Sequence, residues 1–281
     1  MRKTVAMFLI LLMVVGLLVS CGSNEEHEEE PVVDTPVEST PDADEPNTKD
    51  ATPGTELATF VDQYTTAKSE AWDAMAAKLE DEDNMAFMMG SMGFAFSDLV
   101  IVEIVMFDVL SEELGDVFGG KLMFSDIEAW KKVNGDIVEF GYDHVYEEDS
   151  NTAEKGDRHF AQGKLDKKSG TVIYETTIER AGKIINKNVV EITRNSDTSY
   201  SSQVVTLDGE SMNVSAYLTW FEDADIVSIL ATQENASIDF AYNSIYGKKN
   251  VKPEEMATGM DIQMITSLTD GVAIFESNEY E

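Results

Sequence analysis

From residue 126 onward, apolar and polar positions alternate with a period of two, as on a strand with one buried face. The stretch MNVSAYLTWF is the clearest: Met212, Val214, Ala216, Leu218 and Trp220 fall on one side. In TVIYETTIER, Val172, Tyr174, Thr176 and Ile178 share a side, with Glu175 and Glu179 on the other. Turn-forming residues punctuate these runs: Asn134-Gly135, residues 166–170, Ala181-Gly182, residues 195–199, Asp208-Gly209 and residues 222–225. Strands are predicted near 126–133, 136–147, 157–166, 171–180, 183–194, 199–207, 211–221, 226–233, 237–246, 259–268 and 271–277. KPEEMA at 252–257 is predicted as a short helical turn. Short connections pair each strand with the one before it.

The preceding region has a different period. Between Thr55 and Glu80, Leu57, Phe60, Val61, Tyr64, Ala67, Ala71, Met75 and Leu79 recur at spacings of three and four, the stripe of an amphipathic helix that Thr55 can cap. Residues 85–118 are apolar on nearly every face. Asp98, Glu103 and Asp108 point in three directions on a helix, which argues against a bilayer span and for a core helix covered by other elements. VIVEIV at 100–105 is rich in β-branched residues, so helix or strand stays open around 99–110. The flexible methionines around Met88 and Met92, followed by Phe94 and Phe96, suit either core packing or the lining of a hydrophobic-ligand cavity. With Trp220 these four form the candidate ligand set.

The predicted fold class is therefore α+β: an N-terminal helical segment, then a long antiparallel β-meander curled into a half-barrel on an apolar helix. The predicted divisions are a leader over 1–20, an acidic tether over 21–56, and one domain over 57–281, helical over 57–120 and sheet over 121–281. Such a half-barrel resembles those of bacterial lipoprotein carriers that hold acyl chains, a likeness of architecture that implies a lipidic ligand.

Composition adds an address. The chain of 281 residues carries a net charge of −34, which argues against nucleic acid as a partner. Residues 22–56 hold five prolines, twelve acids and one base, too little apolar surface to offset ordering entropy, so a disordered tether is predicted. Ahead of it lie Arg2, Lys3 and a fifteen-residue apolar run, Val5 to Val19, the build of a secretory signal and short for a span. Cys21 is the only cysteine, so no intramolecular disulfide forms. Leu18-Val19-Ser20-Cys21 resembles the lipobox of bacterial lipoproteins. That resemblance implies a diacylglyceryl thioether on Cys21, cleavage before it, and anchoring at the extracytoplasmic face of the cell membrane. Two acyl chains suffice for a stable anchor.

Catalytic patterns are missing from the sequence: there is no Gly-rich phosphate loop and no Gly-x-Ser-x-Gly elbow. His144 alternates with Tyr142 and Tyr146 on one predicted face, and His159 lies on the next strand. A His-His-carboxylate site with Asp143 or Asp157 is weakened because those acids point to the opposite face. Asp223 and Asp225 lack the order of a calcium loop. No cofactor or metal is predicted. The expectation is a non-catalytic membrane-anchored protein that binds a small or lipidic ligand in a curled-sheet cavity. The alternative is a structural or interaction lipoprotein, without a pocket, that meets an envelope protein.

Overall fold

The structure, a computed structural model, describes residues 55–78, 87, 91–94, 101–114, 117–122, 125–149, 153–236 and 240–278, all within the unit formed by residues 49–281. The leader, Cys21, the tether up to residue 54, Met88 and Phe96 lie outside the described residues, whereas Glu56, assigned to the tether, begins the first helix.

Eleven strands form one antiparallel sheet in sequence order. They are β1 (Val117–Leu122), β2 (Ser125–Asn134), β3 (Ile137–Val145), β4 (Arg158–Asp166), β5 (Thr171–Arg180), β6 (Lys183–Arg194), β7 (Ser199–Asp208), β8 (Asn213–Glu222), β9 (Asp225–Gln233), β10 (Asp261–Thr269) and β11 (Val272–Ser277). β1 and β11 are the edges, so the sheet is open. Several turns that close these hairpins use left-handed backbone at two successive residues, as at Ala181-Gly182 and Asp270-Gly271, where Gly takes the second position.

Two expectations are corrected. Residues 117–120, assigned to the helical part, belong to strand β1; Gly119 and Gly120 within it disfavour a helix. Residues 240–246, inside the strand expected at 237–246, run as irregular chain. They belong to a 27-residue connection, 234–260, that joins β9 to β10 across one face of the sheet and contains the short helix α3 (Pro253–Met256). We call this connection the strap.

The opposite face carries α1 (Glu56–Lys78) and α2 (Ile101–Leu114). The stripe read from the sequence is the buried side of α1: Leu57, Phe60, Val61, Tyr64, Ala67, Ala71 and Met75. Within VIVEIV, residues 101–105 lie in helix, their β-branched propensity overridden by tertiary packing. Phe107 of α2 sits among Phe140, Tyr142 and Tyr174 of the sheet, with ring centroids 4.9–6.3 Å apart. Tyr64 packs edge-on to Tyr200 and tilts against Phe221. Gly163 makes room for this layer: a Cβ there would stand 2.2 Å from the Phe140 ring.

A buried charge cluster joins the helices to the sheet. Lys131 of β2 pairs with Asp108 of α2 and lies 3.2 Å from Glu56 of α1; the Lys131 and Asp108 side chains are 3% and 2% exposed. Asp108 also accepts the Ala58 amide at 2.6 Å, satisfying a free N–H in the first turn of α1. Burial pushes the Asp108 carboxyl up, against the pull of Lys131.

The strap covers the second apolar cluster, Val205, Leu207, Val214, Ala216, Leu218 and Ile229 among others, using Ala236, Ile245, Met256 and Ala257. Its irregular backbone needs partners that no ladder provides. The sheet supplies them from side chains. Glu191, fully buried, accepts from Gln203 Nε2 (2.6 Å), Ser244 Oγ (2.8 Å) and the Ile245 amide (3.0 Å). Thr193 and Ser201 donate to the carbonyls of Ile245 and Val251, and Gln203 to that of Asn243.

Candidate functional site

The chemically densest cluster lies on the helix face of β3 and β4. Alternation puts Tyr142 and His144 on one side of β3, and register sets His144 directly opposite His159. Tyr142 donates to Glu103 Oε1 of α2 at 3.1 Å and lies 3.0 Å from His159 Nε2. Tyr146 Oη is 3.5 Å from His159 Nδ1, and its ring stacks on the imidazole. A hydroxyl has one hydrogen. With that of Tyr142 given to Glu103, the Nε2–H of His159 donates to Tyr142, and Nδ1 is left to accept from Tyr146. His159 is then neutral. Burial, with repulsion from His144, holds its pKa down at about 4. Burial raises the Glu103 carboxyl above its ordinary range, and burial and Glu103 together raise Tyr142.

Of the features read from the sequence, the shared face of Tyr142 and His144 and the proximity of the two histidines are present. The carboxylate is a different one. Asp143 pairs with Arg158, and Asp157 with Arg180; Glu103, from a distant helix, takes the place considered for them. The described residues contain no group of three or more His, Cys, Asp or Glu able to hold a metal ion. The cluster can shuttle hydrogens along its bonds, but none of the grooves described below is lined by it.

The outer face over β2 to β5 is different. A groove of about 250 Å³ is lined by Trp130, Glu139, Gln162, Gly163, Lys164, Ile173 and Glu175. Trp130 is 38% exposed. It pairs across the ladder with Gly141, which in turn faces Gln162. A Cβ on Gly141 would approach the Trp130 ring to 3.0 Å, so the glycine lets the indole lie close over β3. Glu139 faces Lys164 across the β3–β4 ladder. Lys164 Nζ sits over the Tyr246 ring of the strap, and Glu175 bonds Lys187 at 3.0 Å. A smaller groove of about 130 Å³ runs between α1 and the ends of β4 to β6, lined by Phe60, Leu165, Lys167 and Arg194 among others.

The described members of the candidate ligand set do not converge. Phe94 is fully buried, stacked on Trp72 and edge-on to Phe221 of the helix face. Met92 is 39% exposed. Trp220 is buried on the opposite face of the sheet, under Lys252 of the strap. Trp130 was missed; its signal was an aromatic residue flanked by charged neighbours on a strand, beside glycines in the facing strands. Among the described residues no helix is long and apolar enough to cross a membrane.

No known protein family matches the chain, and neither curated proteins nor solved structures provide a match.

Proposed function

We propose that the chain is a lipid-anchored, non-catalytic binding protein of the extracytoplasmic face of a bacterial membrane, and that it meets its ligand on the outer sheet face over β2 to β5. The anchor rests on the basic head, the apolar run and the Leu18–Cys21 motif. The binding face rests on one observation. The chain's own rings, among them Tyr64, Phe94 and Phe107, fill the helix side of the sheet, whereas the outer side holds an open groove beside half-exposed Trp130. In this reading the sheet curls round α1 and α2 as a half-barrel whose inside is occupied by protein. An internal lipid cavity is the weaker reading for that reason. Contact with an envelope protein is the second reading, favoured by Val272 and Ile274, which are exposed on edge strand β11.

Hydroxyl-radical footprinting of the full-length protein tests the binding face. Trp130 should be protected in native envelopes and oxidised after purification in detergent. Equal labelling in both states would refute the proposal. Cys21→Ala should release the protein from membranes and abolish acyl labelling.

A further inference from the structure

Resting on that outer-face reading, we infer that the ligand of the groove is a saccharide chain, with Trp130 as its stacking platform. The backbone of β3, β4 and β5 is consumed by ladders on both sides, so recognition here falls to side chains. An extended peptide therefore gains no main-chain partners in the groove, unlike at a sheet edge. Only Trp130 and Ile173 offer large apolar surface, too little for an acyl chain.

The charges of the lining are nearly balanced. Glu139 stands opposite Lys164, and Glu175 is bonded to Lys187. The groove thus offers no surplus of either sign to select an ion. It offers a flat ring, a carboxylate acceptor, an amide that both donates and accepts, and an ammonium donor. Directly opposed side chains on neighbouring strands start about 5 Å apart, within reach of adjacent hydroxyls on one sugar ring. The C–H face of a pyranose suits the indole, whose face carries negative charge density. Gly141 lets the ring approach β3 and so helps set it before the ligand arrives. Pre-set groups lose less entropy on binding.

The test uses the full-length protein in detergent, with cellohexaose, chitohexaose and protease-treated wall glycan as probes. Binding is followed by tryptophan fluorescence and, for the insoluble glycan, by co-sedimentation. At least one probe should bind the wild type. Trp130→Ala should weaken binding about tenfold or more, and Trp130→Phe, which keeps a ring, about threefold or less. Glu139→Gln should weaken it by a smaller factor with an unchanged urea midpoint, which separates recognition from folding. Glycan binding that Trp130→Ala leaves intact overturns the site. No glycan binding, with Trp130 still protected in envelopes, overturns the saccharide while the outer-face reading stands. No glycan binding and no protection removes both.

Discussion

His159 makes acid sensitivity calculable. In the folded chain its imidazole stays neutral down to about pH 4, because it is buried beside His144 and bonded between Tyr142 and Tyr146; Glu103 is the nearest acid of the chain of bonds. In the unfolded chain it takes up a proton near its ordinary value of 6.5. Between those values the unfolded state binds more protons, so stability is lost as pH falls from about 6.5 towards 4. The gap between 6.5 and about 4, at about 1.4 kcal/mol per unit, amounts to about 3 kcal/mol. His159→Gln keeps a polar group of similar reach and removes the titration. Urea unfolding of wild type and variant should be compared from pH 7.5 to pH 4. The carboxyl groups act alike in both proteins, so the difference between the two stabilities isolates His159. The variant should be less stable at pH 7.5 and gain on the wild type by about 3 kcal/mol by pH 4. Parallel profiles would show that the imidazole titrates normally, and the argument from burial would fail. The raised Glu103 carboxyl works the other way in the wild type, since a proton held more tightly when folded adds stability as pH falls.

Two further outcomes follow from buried polar contacts. Lys131→Met leaves Asp108 and Glu56 without their shared cation and should cost about 3–5 kcal/mol in urea unfolding at pH 7, less at pH 5 as the acids protonate; an unchanged midpoint at pH 7 would refute the pairing. Glu191→Ala strips the acceptor from three donors and should cost about 3–5 kcal/mol, with hydrogen exchange at Ile245 rising ahead of global unfolding. Glu191→Gln should cost less, because one amide oxygen can keep the bonds from Gln203 and Ile245.

The meander was legible because two independent signals coincide in it, alternation along the strands and turn residues between them. Where only one signal was present, the reading slipped. Phe240 and Tyr242 alternate as on a strand and do pack on the sheet, but the backbone that follows them, at Asn243, Ile245 and Val251, finds its partners in Glu191, Thr193, Ser201 and Gln203 rather than in a ladder. The trace of that arrangement was the run of polar residues at buried positions of β6 and β7. The histidine pair was partly legible, since alternation puts Tyr142 and His144 on one face. Glu103 was not, because a helix far away in sequence supplies it, and no periodicity says which turn of a helix meets which strand. The same gap kept the sequence from placing Phe94 and Trp220, which fall on opposite faces of the sheet. Phe221 and Trp220 must face opposite sides of β8, but the sequence does not say which side the helices cover.

The nearest-neighbour order of the sheet also sets how the chain can assemble. Every ladder joins strands consecutive in sequence, and, apart from β9 and β10 with the strap between them, the sheet is built mostly from contacts across short turns, the kind that form first because little chain entropy opposes them. The helices do not share this advantage. Tyr64 meets Ser202 across 138 residues, and Arg194 meets Gln63 across 131. Helix α1 precedes the whole sheet in the chain, yet its landing place exists only once β7 and β8 have paired. Zippering of hairpins followed by late docking of the N-terminal helix is the expected folding order.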